Sequence, residues 1–313
     1  MMKSEISVQV PVKNGGKPFE EFLESLVAQD LLALWELIIV DDGSDTPIQE
    51  KYSVLLATLP DNCLVKIIRL DPGGNRPAAR NAAFKASDSP VGLLMDADLK
   101  FPSDLLRKHL EIRNETGSDV VMGARRNAWS AEATDWQRWF DSRAMGHSGA
   151  GEFPWNYFIT GNLSIANSLL ESAGGFDVAI DSYGGEDTEI GYRLKQLGVL
   201  FYWDPSLVVD HLDDVSVRQH SEKMLEYGLT GLKYTLKKHP EIDGLLGSRW
   251  IKPLFSKPIY LCPIRLLTKL ALADSIYGSV LRYAEKHRVP GFIFTYLSVG
   301  ACLTGLRGIE YHV

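Results

Sequence analysis

The sequence predicts an α/β domain with a mostly parallel central sheet flanked by helices, followed by a C-terminal helical extension. Three observations lead there. Short apolar runs alternate with stretches of helical periodicity from about residue 5 to residue 212. Two of those runs stop at carboxylate clusters, Asp41-Asp42-Gly43-Ser44 and Asp96-Ala97-Asp98, and ligands of open parallel sheets bind beyond the carboxyl ends of strands. Beyond Leu245 the charge balance reverses, with nine Lys/Arg against three Asp/Glu and a net of about +6 in a chain of net −7.

The elements follow in order. Ile6, Val8 and Val10 alternate with Ser7 and Gln9, the period of a strand. After Gly15-Gly16, residues Phe19, Phe22, Leu23, Leu26 and Val27 fall at helical spacing. Leu37–Val40 is an unbroken apolar run, as in a strand buried on both faces. Leu64–Leu70 reads as a third strand, Arg76–Ala86 as an Ala-rich helix and Val91–Met95 as a fourth strand. Helix Ser103–Glu115 and strand Asp119–Gly123 complete a β-α-β alternation, which implies a parallel sheet covered on both faces. Arg125–Trp155 holds Trp129, Trp136, Trp139 and Trp155, four of the seven tryptophans, among Ser, Asn and Gly. It is expected to be a mobile or cleft-lining segment, since indole faces suit sugar rings. Ile159–Ser164 leads into helix Asn167–Ala173, and Leu200–Trp203 and Leu207–Val209 are two short strands that end at Asp210-His211. Residues 1–215 are therefore expected to form the α/β domain, 216–244 a linking helix, and 245–313 a basic, apolar helical extension.

Composition bounds the function. With 313 residues, 45% hydrophobic and 23% charged, the chain is globular and large enough for one α/β domain with an appendage. Cys63, Cys262 and Cys302 lack metal-ligand spacing, which argues against a zinc site or disulfide framework. The start of the chain lacks the layout of a signal peptide, so a cytoplasmic location is expected. No nucleic-acid partner is expected. In the extension, Val289–Leu306 is uncharged, but Pro290, Gly291, Gly300 and Gly305 weaken a membrane-spanning reading. Two readings stay open for it. Basic, apolar helices lie on anionic membranes, here the inner face of the cell membrane; alternatively they pack as a helical subdomain with the basic face in water.

The most informative stretch is Tyr183-Gly-Gly-Glu-Asp-Thr-Glu-Ile-Gly-Tyr-Arg193. Its glycines allow a sharp turn and close approach of a ligand. Glu186 and Asp187 then sit at a helix start, where the field favours ionised carboxylates. Asp187 suits a general base, while helix capping is the bland alternative. Asp96 and Asp98 suit a hard cation such as Mn²⁺ or Mg²⁺, and His211 adds a nitrogen that favours Mn²⁺, unless it is merely structural.

Pro11-Val-Lys-Asn14, Val40-Asp-Asp-Gly-Ser44, Arg80-Asn81, Asp96-Ala-Asp98, Thr160-Gly-Asn162 and Gly185-Glu-Asp187 come in an order and spacing that resemble family 2 glycosyltransferases of the GT-A fold. The resemblance spans about residues 5 to 212. Gly184–Leu194 is also similar to the acceptor-side motif of chondroitin polymerases and β-1,4-galactosyltransferases. The resemblance implies a donor site of Pro11, Val12, Asn14, Asp41, Asp42, Arg76, Arg80, Asp96 and Ala97. In it, Asp42 accepts from a pyrimidine N–H, Asp41 supports the turn, and Arg76 or Arg80 approaches the diphosphate. Asp96 faces ribose or donor sugar, and Asp98 with His211 holds the metal. It implies an acceptor side of Trp155, Gly161, Asn162, Gly185 and Glu186, with Asp187 as the inverting base and Glu186 as a hydroxyl partner. Lys13 departs from the pattern, because an aromatic residue is common there.

The implied activity is inverting, Mn²⁺- or Mg²⁺-dependent transfer of a hexosyl or acetylhexosaminyl group. The donor is a nucleotide-sugar, UDP-linked by preference, and the acceptor a hydroxyl of a saccharide or polyprenyl-linked molecule. A retaining GT-A transferase and a non-catalytic nucleotide-sugar-binding module are the alternatives. A dehydrogenase is excluded because Asn14-Gly-Gly-Lys17, not G-x-G-x-x-G, follows the first strand.

Overall fold

A computed structural model describes residues 3–127, 133–143, 145 and 148–308. The chain divides into two compact units, the first from the described parts of 1–129, 141–181 and 186–213, the second from those of 130–140, 182–185 and 214–313. Trp129 lies outside the described residues.

The first unit is built on one sheet of nine strands among the described residues. Strand β1 (Ile6–Val12) lies between β2 (Trp35–Asp41) and β4 (Val91–Met95), and β3 (Cys63–Arg69) adds to β2, all parallel. Helices α1 (Lys17–Val27) and α4 (Arg76–Ala86), with single-turn α2 (Ile48–Lys51) and α3 (Ser53–Leu56), make the crossovers. Every residue of β2 is buried, as its continuous apolar run requires. Phe19, Phe22, Leu23 and Leu26 of α1 pack with Val8, Val10, Leu37 and Ile39 in the main core.

The parallel order then breaks. Strand β8 (Asn162–Ala166) enters between β4 and β6 (Val120–Asn127), antiparallel to both. Helix α5 (Leu105–Thr116) precedes β6, but the chain reaches β8 without a crossover helix in this unit, and antiparallel pairing needs none. Strand β9 (Phe201–His211) is parallel to β6, and the two-residue strands β5 (Leu99–Lys100) and β7 (Gly151–Glu152) pair antiparallel with it. The two short strands expected at 200–209 are thus one strand with a bulge. Pairing passes from Gly123 opposite Asp204 to Ala124 opposite Val208, because Pro205 has no N–H for the ladder. Helices α7 (Asn167–Ser172) and α8 (Glu186–Gln196) complete the unit.

The second unit is helical. It holds α6 (Asp135–Asp141, bar its last residue), α9 (Val217–Leu229), α10 (Gly231–Lys238), α11 (Cys262–Ala271), α12 (Asp274–Ala284) and α13 (Gly291–Arg307). Residues 216–244, read from sequence as one linking helix, form α9 and α10 inside this unit. A Ser216/Gln219 capping box starts α9. Helices α9 and α13 meet backbone to backbone, since a Cβ on Gly228 would lie 2.0 Å from the Cys302 carbonyl oxygen. The uncharged run of α13 is thereby explained by packing, with Phe294, Leu297, Gly300, Ala301 and Leu303 buried. No helix among the described residues is long and apolar enough to cross a membrane.

The expectation for the tryptophan-rich segment is corrected here. Trp136 stacks on Trp139 at 5.2 Å, touches Phe140, His220 and Phe294, and donates from Nε1 to the Val215 carbonyl. Trp136 is core and Trp139 packs partly buried against it, because one ring removes so much apolar area from water.

Candidate active site

Loops after β1 and β2 form the first part of the site. Asp41 is buried and accepts from Ser44 N–H (2.9 Å), Ile48 N–H (3.2 Å) and Arg69 Nη1 (2.6 Å). Burial alone would raise its carboxyl; hydrogen bonds from Ser44, Ile48 and Arg69 outweigh that and hold it below the usual range. Asp42 accepts at Oδ1 from Gly74 N–H (2.7 Å) and Asn75 N–H (3.4 Å). Its Oδ2 takes no hydrogen bond from a described residue. Gly73 must be glycine, since a Cβ there would lie 2.1 Å from the Asp42 carbonyl oxygen.

Asn14 adopts φ 63°, donates its N–H to Ser44 Oγ and accepts at Oδ1 from Asp45 N–H. It ties two loops together with atoms expected to face a donor. Pro11 and buried Val12 end β1, where the Val12 carbonyl accepts from Asp42 N–H. Lys13 is exposed, and its Nζ lies 3.8 Å from where a Cβ on Gly74 would stand.

The carboxyl end of β4 supplies the second part. Asp96 is bracketed by two arginines, Arg80 Nη2 at Oδ1 (2.9 Å) and Arg125 Nη1 at Oδ2 (3.1 Å). Arg80 is 2% exposed, and its Nε and Nη1 have no partner among the described residues. Arg76, the other candidate at the diphosphate, is half-exposed at the start of α4 and reaches Glu186 Oε1 at 3.4 Å. Ala97 packs partly buried on the core.

Asp98 Oδ2 stands 3.2 Å from His211 Nε2. Burial pulls the Asp98 carboxyl up, but the His211 hydrogen bond and charge, with Arg125, hold it below its usual range. His211 Nδ1 lies 3.1 Å from Asn127 Oδ1, and Asn127 in turn donates to Asp141. Nε2–H is thus the donor to Asp98; a metal would take the place of that proton between Nε2 and the carboxylate, with the ring kept in orientation by Asn127 at Nδ1. One oxygen and one nitrogen donor therefore converge, a set that suits Mn²⁺. No group of three protein donors gathers among the described residues, so a bound diphosphate would complete such a site.

The third part is the first turn of α8, which Glu186 and Asp187 begin rather than precede. Asp187 accepts from Thr160 N–H (3.2 Å) and Thr160 Oγ (2.9 Å). Burial and the neighbouring Glu186 charge push its carboxyl up to about 7, against the pull of Arg80 and Thr160, and Asp96 adds to the rise. Glu186 is 4% exposed, and its Oε2 has no partner among the described residues.

Four residues expected on the acceptor side make other contacts in the fold. Asn162 is buried and saturated: Nδ2 donates to the Ala124 and Leu207 carbonyls, and Oδ1 accepts from His109 Nε2. Trp155 is 8% exposed and packs on Tyr192 of α8, so its indole is no open platform. Gly161 makes room for Asp96, since a Cβ there would lie 2.6 Å from Asp96 Oδ2. Within the second unit, Gly185 packs on Gly231, whose backbone would lie 2.7 Å from an added Cβ.

Arg125, Thr160, Arg69 and Asn127 escaped the sequence reading. Arg125 and Asn127 lie at the carboxyl end of β6, and the strand-end rule that marked Asp42 and Asp98 would have reached them. Thr160 stood in a quoted motif, but only the fold brings it to Asp187.

Comparison with known proteins gives the family and the fold. The model of "Glycosyl transferase family 2" matches residues 7–177, more than half of the chain. A hyaluronan synthase of Pasteurella multocida is 25% identical over 213 residues, 57% of this chain and 21% of that protein. A chondroitin synthase of Escherichia coli is 24% identical over 230 residues, 63% of this chain and 33% of that protein. The chain thus spans a fifth to a third of the length of these relatives. The structure of a mannosyltransferase from Pyrobaculum calidifontis, in complex with GDP-Man and Mn²⁺, superposes with TM-score 0.66 at 16% identity, covering 99% of this chain and 88% of that one. Staphylococcus aureus TarS 1–349 with UDP-GlcNAc superposes with TM-score 0.55 at 16% identity, covering 98% and 91%. These structures share the GT-A fold with the first unit's mixed, mostly parallel sheet. By the family match and the order of its motifs, the chain belongs to glycosyl transferase family 2.

Proposed function

We propose that this chain transfers a sugar from a nucleoside-diphosphate donor, UDP-linked by preference, to a hydroxyl of a saccharide or polyprenyl-linked acceptor, inverting the anomeric carbon. The observation that carries the reading is Asp187, a carboxyl raised to about 7, held by Thr160 and acted on by Arg80 and Asp96. A base with that poise takes a proton from an alcohol near neutral pH. As the acceptor oxygen bonds to the anomeric carbon, its proton passes to Asp187. The bond from that carbon to the diphosphate oxygen breaks, and the electron pair leaves with the nucleoside diphosphate. No covalent intermediate with the protein is needed, hence inversion.

The remaining residues serve binding. Asp42 Oδ2 is available to a pyrimidine N–H, and the orphaned Glu186 Oε2 to an acceptor hydroxyl. Arg76 is the more accessible of the two candidate arginines for the diphosphate, while Arg80 and Arg125 balance the charge of Asp96. Asp98 and His211 would hold Mn²⁺ or Mg²⁺, which when bound neutralises charge on the departing diphosphate. Peripheral contact with an anionic membrane is proposed for the basic segment after Leu245 and suits a lipid-linked acceptor.

The test is nucleotide release across UDP-, GDP- and dTDP-sugars with Mn²⁺, followed by NMR of the product anomer. Release from a UDP-sugar with an inverted product is expected. A retained configuration, or no turnover of any donor, would overturn the proposal.

A further inference from the structure

The solvent face of α11 is inside out. Pro263, Leu266, Leu267 and Leu270 recur at the i, i+3, i+4, i+7 spacing that ordinarily marks a core-facing stripe, yet all four are exposed. The charged Arg265, on the opposite side of the helix, is the buried one at 2% exposure. Its guanidinium donates from Nε to the Arg249 carbonyl at 3.1 Å and from its other nitrogens to the carbonyls of Leu254, Ser256 and Lys257. A buried cation thus pins the loop leading to α11 against the helix. That loop holds outward Phe255 at 80% exposure and Tyr260 at 79%, with Ile259 also exposed. Single exposed apolar residues are ordinary, whereas several large ones gathered on one short segment and one helix face mark an interaction surface.

Charge selects the partner. From Gly244 to Ala273 there is no Asp or Glu, and Lys252 is engaged by Asp243. Arg249, Lys257 and Lys269 are exposed along the same stretch. A two-fold contact with a second copy would bring these cations against themselves with no acid from the face to match them. An anionic bilayer meets both needs, taking apolar side chains below its headgroups and cations among them.

We propose that residues 249–270, held in shape by Arg265, are a docking face for an anionic lipid bilayer. This rests on the membrane contact proposed above and names the element that makes it.

The experiment is co-sedimentation of the full chain with phosphatidylcholine vesicles, with and without phosphatidylglycerol, at low and high salt. The chain is expected to bind the phosphatidylglycerol vesicles and to release as salt rises. Phe255→Ser with Leu267→Ser should cut partitioning by more than about tenfold at an unchanged melting temperature, because neither side chain is buried. Lys257→Gln and Lys269→Gln should each weaken it about fivefold. If the unaltered chain ignores these vesicles, the membrane reading and the docking face fail together. If it binds but the Phe255/Leu267 variant binds equally well, the docking face fails while membrane contact by another surface survives. Concentration-dependent dimerisation in ultracentrifugation that Leu267→Ser abolishes would assign the face to a second copy instead and overturn the proposal.

Discussion

Replacing Asp187 with Asn removes a charge and keeps the shape. Asn Oδ1 can accept the Thr160 N–H and Nδ2 can donate to Thr160 Oγ, contacts that now measure 3.2 and 2.9 Å. What is lost is basicity. The rise of the Asp187 carboxyl from 3.8 to about 7 corresponds to roughly 4 kcal/mol of preference for its neutral form. That figure is an upper one, since the side chain is partly exposed and solvent screens it. Two effects of opposite sign follow. Transfer needs the carboxylate, so the native rate should climb as pH rises through about 7. The variant should be slower by roughly 10²- to 10⁴-fold and lack that limb, while donor affinity holds.

Stability moves the other way. Between about pH 4 and 7 the folded carboxyl is neutral and the unfolded one ionised, and the stability its proton supplies is lost as pH climbs through about 7. Asn never ionises, so the variant should gain on the native protein across that window and stay ahead by up to a few kcal/mol at pH 8. Initial rates of nucleotide release and thermal melts from pH 5.5 to 8.5 measure both. A variant with native rates, or one that melts below the native protein at pH 8, would refute the reasoning.

Four further outcomes are expected. Glu186→Gln removes the charge that helps raise Asp187, so the rising limb of the pH–rate profile should move to lower pH and acceptor KM should increase; an unmoved limb would mean that Glu186 does not act on the base. Asp98→Ala should abolish Mn²⁺-dependent donor binding in calorimetry with little change in melting, whereas full native binding in EDTA would remove the metal from the scheme. Asp42→Ala deletes an acceptor for the base and a tie to Gly74, and should weaken UDP roughly 10- to 150-fold; equal native affinity for UDP and GDP would contradict the assignment. His109 is held down to about 4 by burial, so it favours the fold fully above about pH 6.5 and less as pH falls toward 4; His109→Gln should flatten that acid-side decline in melting temperature.

Much of the first unit was legible because its signals are local. Apolar runs and helical periods located β1, β2, β4, α1 and α4, and the turns after β2 and β4 carry carboxylates where strands stop. Direction was less legible: nothing in Asn162–Ala166 says that it runs against its neighbours, since alternation is the same read either way. Side-chain aim was least legible. A motif placed Asn162 near the site, but three hydrogen bonds turn its amide inward. The tryptophans misled for a related reason, because polar neighbours in sequence do not reveal that an indole is covered in space. Arg80 and Arg125 meet at Asp96 from different elements, a convergence only the fold reports.

The inward amide of Asn162 has a consequence for how this chain can vary. Its two N–H groups require carbonyls, so Oδ1 must accept, His109 must carry its proton on Nε2, and Ser164 must donate to Nδ1 at 3.0 Å. Gly123 is bound into the same arrangement, since a Cβ there would lie 2.4 Å from both Asn162 Nδ2 and the Leu207 oxygen. Four positions thus form one lock in which each choice dictates the others. Drift at any one strands buried polar atoms at the rest, so the quartet should be inherited or exchanged as a block. A lone replacement should then be rescued by a compensating change at a neighbour in the quartet, and not by any change elsewhere in the sheet.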